Sequence, residues 1–172
     1  MARYISMIHY EQTIHIQDFY DSLMTQIYLY QDRGDYYISG DFNSRLGELC
    51  DSMDDELPVR DVVDVKNNTY GTFLHEFLIS TDTCVLNGRS KKNGNDFTFI
   101  SSMGRSVVDY VICPSNSFKL VNDVQIIRPV KLFSEAGVKC RSSLVPDHSF
   151  LRWDFNIRTV RVRKVEVEQQ YL

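Results

Sequence analysis

Gly40-Asp41-Phe42-Asn43 places an acid and an amide two residues apart, at the end of a run that reads as a β-strand. Positions i and i+2 of a strand face the same side, so Asp41 and Asn43 are expected to converge. A carboxylate beside a carboxamide can hold a cation, orient a water and donate to a phosphate oxygen. The same tetrapeptide suits a plain turn, because Asp and Asn are favoured turn residues. A second acid, Asp109, lies in Ser106-Val107-Val108-Asp109-Tyr110-Val111-Ile112, on the face of Val107 and Val111. A carboxylate on an apolar face is unfavourable unless paired. An imidazole is a natural partner, and an edge position turned to solvent is the alternative. The third group is Pro146-Asp147-His148. An Asp–His pair fixes the imidazole tautomer, and the cation can stabilise a developing oxyanion. His9, His15 and His75 read as structural.

These groups need elements to carry them. Ile16, Phe19, Leu23, Ile27 and Tyr30 recur at helical spacing, with Tyr20 and Met24 widening the stripe. Gln31 to Asp35 is a polar turn. Strands are expected at Tyr4–Ile8, Tyr36–Phe42, Cys84–Asn87, Phe97–Ile100, Ser106–Cys113, Val121–Arg128 and His148–Asn156. A second helix is expected over Phe73–Leu78, and Lys91–Asn95 reads as a polar link. Along the last strand Leu151, Trp153 and Phe155 should face a core, with His148, Phe150 and Arg152 opposite. The acidic segment Leu46–Asp64, with Asp51, Asp54, Asp55, Glu56, Asp61 and Asp64, reads as a solvated loop. Residues 1–157 form one domain in this reading. Residues 158–172 are a charged tail in which Val160, Val162, Val165 and Val167 alternate, suiting an edge strand or a linker equally. The irregular mixture of helices and many strands points to an α+β sandwich rather than a strict βαβ array.

A chain of 172 residues suits one domain with a real core. At 43% hydrophobic and 24% charged it is neither a disordered tail, a collagen nor a coiled-coil rod. A net charge of −4 excludes a general polyanion binder, so contact with nucleic acid requires a local basic patch. Lys91, Lys92 and Arg105 are candidates for meeting phosphates. No apolar run approaches the ~20 residues of a membrane span and no signal peptide is visible, so a nuclear or cytoplasmic location without membrane contact is expected. Cys50, Cys84, Cys113 and Cys140 contain no CxxC, against a zinc ribbon or redox pair. Reduced thiols are expected, with two disulfides open by arithmetic. There is no phosphate-binding glycine loop, no second His to make a zinc-protease helix of His75-Glu76, and no nucleophile elbow.

In this order, the three groups resemble the endonuclease/exonuclease/phosphatase superfamily, which includes abasic-site endonucleases, pancreatic-type deoxyribonuclease, inositol polyphosphate phosphatases and the endonuclease domains of non-LTR retrotransposons. Gly40-Asp41-Phe42-Asn43-Ser44-Arg45 is similar to its GD-aromatic-N-x-R block. Phe97-Thr98-Phe99 followed by Ser106-Val107-Val108-Asp109-Tyr110 is similar to its T-F and S-x-I-D-Y blocks, and Pro146-Asp147-His148 to its S-D-H block. Leu86-Asn87-Gly88 suits the retrotransposon-type branch, and Tyr4-Ile5-Ser6 is similar to the strand bearing a family active-site Tyr. The resemblance spans about residues 3–157.

The resemblance implies a partial four-layer α/β sandwich of α+β class, the C-terminal portion of a two-sheet domain lacking its N-terminal strands. It implies Mg²⁺ (or Mn²⁺), held with Asp41, Asn43, Asp147 and His148, and in-line water attack on a phosphodiester, with DNA as the expected substrate. Asp41 would activate the water, and Asn43 would orient it and the phosphate. His148, oriented by Asp109, would stabilise the transition state, and Tyr4 would contact the phosphate. An upstream half-domain and a downstream reverse transcriptase are the implied protein partners. Two departures stand out. Pro146 replaces the family's Ser, and the main metal-binding Glu of the family's opening strands has no match here. Activity is therefore expected to be weak or absent. The alternatives are a non-catalytic binding module and a phosphatase of the same superfamily.

Overall fold

The computed structural model describes residues 3–6, 15–89, 94–139 and 145–156. Tyr20, Leu23 and Ile27 fall three and four residues apart, and helix α1 (Ile16–Tyr30) buries that stripe. Tyr30, placed on the stripe from sequence, is 40% exposed at the helix end, where the Arg33 guanidinium lies 5.2 Å from its ring centre. Strand β1 (Arg3–Ser6) runs parallel to β2 (Tyr36–Asp41), and α1 lies between them in the chain. Helix α2 (Thr69–Ser80) begins four residues earlier than the apolar spacing predicts. Its start is fixed by the Asn68 side chain, which accepts from the Gly71 amide at 2.7 Å.

Strand β3 (Thr83–Val85) and strand β6 (Asp109–Pro114) complete a four-stranded sheet in the order β1-β2-β6-β3. Both faces of its inner strands are buried, so they read as nearly continuous apolar runs. Tyr36 and Ile38 of β2, Tyr110 and Ile112 of β6 and Val85 of β3 share one core with α1 and with Leu74, Phe77 and Leu78 of α2. The alternate residues Tyr37, Cys84, Val111 and Cys113 face a second core. Across it lie β7 (Val121–Ile127) and β8 (Phe150–Phe155), an antiparallel pair contributing Val124, Leu151, Trp153 and Phe155. Tyr37 and Phe155 stack with ring centres 4.4 Å apart. Helices on one sheet face and a second sheet on the other make the architecture a mixed, partial α/β sandwich. Helix α3 (Pro129–Glu135) follows β7. No helix among the described residues is long and apolar enough to cross a membrane.

Two sequence expectations are corrected. Ser106–Cys113 is not one strand. Strands β4 (Phe99–Ser101) and β5 (Gly104–Ser106) form a hairpin, and Val107 and Val108 break the path into β6. Side chains take the amides there: Val107 donates to Asp64 Oδ2 at 3.0 Å, and Val108 and Asp109 donate to Thr98 Oγ1 at 2.9 and 3.0 Å. Nor is Leu46–Asp64 solvated throughout. Asp51 is 3% exposed and Asp64 7%. Asp51 accepts two hydrogen bonds from Arg89 at 2.6 and 3.0 Å, and Asp64 accepts two from Arg45. Burial would raise both carboxyl pKa values, but the arginine hydrogen bonds and charges outweigh it and hold both below the ordinary value. Asp54, Asp55 and Glu56 are exposed, as expected.

Cys84 and Cys113 face each other in the β3–β6 register as free, buried thiols, and Cys50 is free and exposed. The Cys84 contact and burial push the Cys113 thiol pKa upward. Cys140, His9, Lys91, Lys92 and the tail from residue 157 lie outside the described residues.

Candidate active site

Strand β2 ends at Asp41, and the chain turns at once. Asn43 adopts φ 51°, the left-handed region that Asn tolerates better than most residues. Its backbone N–H donates to Asp41 Oδ1 at 2.8 Å. Asp41 and Asn43 therefore do not share a strand face. They are brought together by an Asx turn, in which a side chain replaces the next strand hydrogen bond.

The turn is anchored on both sides. Phe42 is buried and packs its edge against Tyr110, ring centres 6.1 Å apart. The Asn68 amide donates to the Asn43 carbonyl at 3.2 Å, while its oxygen accepts from the Arg45 amide at 2.9 Å. The helix cap of α2 thus also fastens the turn that carries Asp41.

In the β2–β6 register Asp41 stands opposite Asp109. Like charges at paired positions repel, and a donor is needed nearby. His148 supplies it: its Nδ1 lies 3.1 and 3.0 Å from Asp109 Oδ1 and Oδ2. Because a carboxylate only accepts, Nδ1 carries the proton and Nε2 is left facing outward. Nε2 lies 4.0 Å from Asp41 Oδ2, the carboxylate oxygen not engaged by the turn.

Asp109 is 8% exposed. Burial raises its pKa, hydrogen bonds from His148 and Thr98 oppose that, the His148 charge also lowers it, and Asp41 adds to the rise. The net direction is upward.

His148 arrives from the far end of the chain. An isolated bridge joins it to Phe99, flanked by Ile100 N–H to the Asp147 carbonyl at 2.8 Å and Ser149 N–H to the Thr98 carbonyl at 2.7 Å. Its ring meets Phe99 edge-on at 5.0 Å.

Among the described residues, Asp41, Asp109 and His148 are the group whose ligand atoms lie close enough, within 4.8 Å, to share a metal ion. Carboxylate oxygens suit Mg²⁺ and Mn²⁺ alike. The donor set therefore fits a divalent cation, with Asp41 the freest carboxylate. Of the other predicted residues, Asn43 is exposed in the turn, and its backbone serves Asp41. Asp147 is exposed and outside the three-residue group. It lines a neighbouring cavity with Arg128 and Ile100. Tyr4 pairs by backbone with Tyr37 on β1, four residues before Asp41 along β2.

A cleft of about 540 Å³ runs beside the site, with Arg45, Lys66, Arg105, Phe97 and Phe99 in its walls. The Arg105 guanidinium sits 4.4 Å over the Phe97 ring. Asp64 also lines the cleft and is paired with Arg45, so Lys66 and Arg105 give the lining its net positive charge, on a chain of net charge −4.

Sequence reasoning quoted Thr98 and Asn87 only within blocks that resemble the family's and gave neither a structural role, and it gave none to Asn68. Asn87 donates to the Asp109 carbonyl and accepts from the Val111 amide, both at 3.0 Å. Thr98 and Asn87 act on backbone 10 to 24 residues away, which no spacing signals, whereas the Asn68 cap on Gly71 is a local pattern and its reach to residues 43 and 45 is not.

In its fold the chain is similar to solved nuclease structures, at low sequence identity. The chain is similar to the endonuclease domain of TRAS1, a telomere-specific non-LTR retrotransposon, at 15% identity and a TM-score of 0.55, covering 87% of this chain and 56% of that one. It is also similar to a 3′ phosphatase from Neisseria bound to a product DNA hairpin, at 12% identity and a TM-score of 0.54. A 3′-5′ exonuclease from Neisseria meningitidis matches at 14% and 0.54. Each of the two bacterial matches covers 82% of this chain and 53% of the other. The chain thus spans little more than half the length of the structures it matches. No protein-family model matches it, and no curated protein does.

Proposed function

We propose that Asp41, Asn43, Asp109 and His148 form the reaction centre of a divalent-metal-dependent phosphodiesterase acting on DNA. The observation that carries this reading is the hydrogen-bonded Asp109–His148 pair with Nε2 turned toward the free oxygen of Asp41, 4.0 Å away. A phosphate set against this edge meets both the carboxylate and the oriented imidazole. Asp41 accepts a proton from the attacking water, and Asn43 orients that water and a phosphate oxygen. The water oxygen bonds to phosphorus, the opposite P–O bond breaks, and the leaving oxygen takes up a proton from solvent. His148, as imidazolium, donates from Nε2 to a non-bridging oxygen as its charge grows, and Asp109 holds the ring in place. Bound at Asp41, Mg²⁺ or Mn²⁺ would neutralise phosphate charge. The basic cleft with Arg105 and Lys66 suits the flanking phosphates of a nucleic-acid strand.

The test is Mg²⁺-dependent nicking of supercoiled plasmid, run beside release of phosphate from a 3′-phosphorylated oligonucleotide. Nicking that falls about 100-fold or more in both Asp41→Ala and His148→Ala is expected. Phosphate release without nicking moves the assignment to a phosphatase. A folded chain that does neither, yet binds DNA equally well with or without the Asp41 carboxylate, is a binding module and the proposal fails.

A further inference from the structure

Strand β8 is the border of its sheet. It pairs with β7 on one side, and no other strand pairs with it among the described residues. The Ile126 amide of β7 donates to the Gly94 carbonyl at 2.8 Å, and so points away from β8. Directly opposed residues of an antiparallel pair turn their backbone groups either toward each other or both away. Leu151, opposite Ile126, therefore turns its amide and carbonyl outward, and Trp153 and Phe155 follow at the same period. The side chains of these three pack against the second core but are only partly buried, whereas Val124, opposite Trp153, is buried. The core is open along the same border as the sheet. A row of unpaired backbone groups beside a half-covered apolar face is a template for another strand.

The charges on the outer face select which strand. Phe150, Arg152 and Asp154 alternate there, all exposed, with Arg152 Nη2 3.3 Å from Asp154 Oδ2. A second β8 laid antiparallel about a two-fold axis at Trp153 sets Arg152 opposite the partner's Asp154, and Asp154 opposite the partner's Arg152. Leu151 falls opposite the partner's Phe155 on the core side. The two Trp153 backbones then exchange hydrogen bonds, so the Arg152–Asp154 pairs occupy the closer kind of opposed position, with Cα atoms about 4.5 Å apart. Other registers are unfavourable. An axis at Arg152 sets arginine against arginine, and an axis at Asp154 sets aspartate against aspartate. An axis between two residues puts outer-face side chains opposite core-face ones.

We propose that β8 is the seam of a two-fold homodimer of this chain, with Trp153 on the axis and an Arg152–Asp154 pair on either side of it. Every contact then occurs twice. The β7 and β8 strands of the two copies run as one four-stranded sheet, and the open borders of the two cores meet. Nothing in this seam depends on the chemistry assigned to Asp41 and His148.

The experiment is sedimentation equilibrium of the full chain, whose protomer mass is 20.1 kDa. The wild type is expected at twice that mass. Arg152→Asp and Asp154→Arg each set like charges against one another twice, and each should raise the dissociation constant about 10–100-fold. Mixed together, these two variants oppose four acids and four bases of matching position only as acid to base, so a 1:1 dimer of wild-type strength should form. The chain carrying both substitutions should dimerise alone. Recovery on mixing separates loss of the seam from loss of the fold. Trp153 is the chain's one tryptophan, so its emission should move to the blue as wild-type concentration rises, and should stay fixed in either single variant. A monomeric wild type overturns the proposal. Slow hydrogen exchange at the Leu151 and Trp153 amides of such a monomer would show that another segment of the same chain covers the edge. A dimer that neither substitution weakens places the seam elsewhere and also overturns it, as do single variants that remain monomers when mixed.

Discussion

Asn43 does two jobs that can be separated. Its backbone closes the turn onto Asp41 from a φ of 51°, and its side chain is free at the surface of the site. Glycine adopts that φ without strain, whereas alanine there loses roughly 1 kcal/mol or more from the clash of its Cβ. Asn43→Gly should therefore melt close to wild type and lose nicking. Asn43→Ala should lose both nicking and about 1 kcal/mol of stability, read from thermal melts. If Asn43→Gly nicks at the wild-type rate, the amide has no role beyond the turn. The candidate residues themselves were legible as types: an acid ending a strand, an acid on an apolar face, a His beside an acid. That Asn43 leaves the strand was not, because Asp-Phe-Asn is compatible with both a strand end and an Asx turn.

At the scale of elements, the start of α2 governs the turn that holds Asp41. A Cβ built on Gly71 would lie 1.9 Å from the Arg45 carbonyl oxygen, so the helix and the loop touch backbone to backbone. Alanine normally favours a helix over glycine by about 1 kcal/mol. Here the clash should exceed that gain, and Gly71→Ala is expected to lose about 1–3 kcal/mol in a chemical denaturation curve. It should also weaken nicking by shifting residues 43–45. A stability equal to wild type would show that the loop gives way without consequence. Helical stripes were readable because their period is local. The break at Val107 and Val108 was not, since Asp64 and Thr98, which take their amides, lie 43 and 10 residues away.

Across the whole molecule, the buried acids set the response to pH. Asp51 and Asp64 have lowered pKa values in the folded chain. The unfolded chain binds more protons than the folded one below the ordinary carboxylate value, so their stabilisation is present above it and is lost as pH falls. Asp109 is raised and acts oppositely: its contribution is present at low pH and is lost as pH rises through its raised value. With two strong ion pairs against one raised acid, stability should fall on acidification from neutral to about pH 3. Asp51→Asn should lose about 3–5 kcal/mol at neutral pH, because it leaves Arg89, a cation with 5% of its side chain exposed, without its charge partner. Its melting temperature should also vary less with acid than that of wild type. An unchanged acid slope would mean that Asp51 is not ionised in the folded chain.

Sequence alone located helices α1 and α2 but not α3, most of the strands, and the order of the three groups that resemble a phosphodiesterase site. Such patterns need only the period of a helix or strand and the chemistry of neighbouring residues. Tertiary structure decided the rest. Asp41 and Asp109 oppose each other because of the β2–β6 register. His148 reaches Asp109 across 39 residues because Thr98 and Phe99 receive its segment. Asp51 and Asp64, which read as solvent-facing, are buried because arginines distant in sequence come to meet them. A buried polar group must find its partner wherever the folded chain puts one, and that place is a property of packing and register rather than of spacing along the sequence.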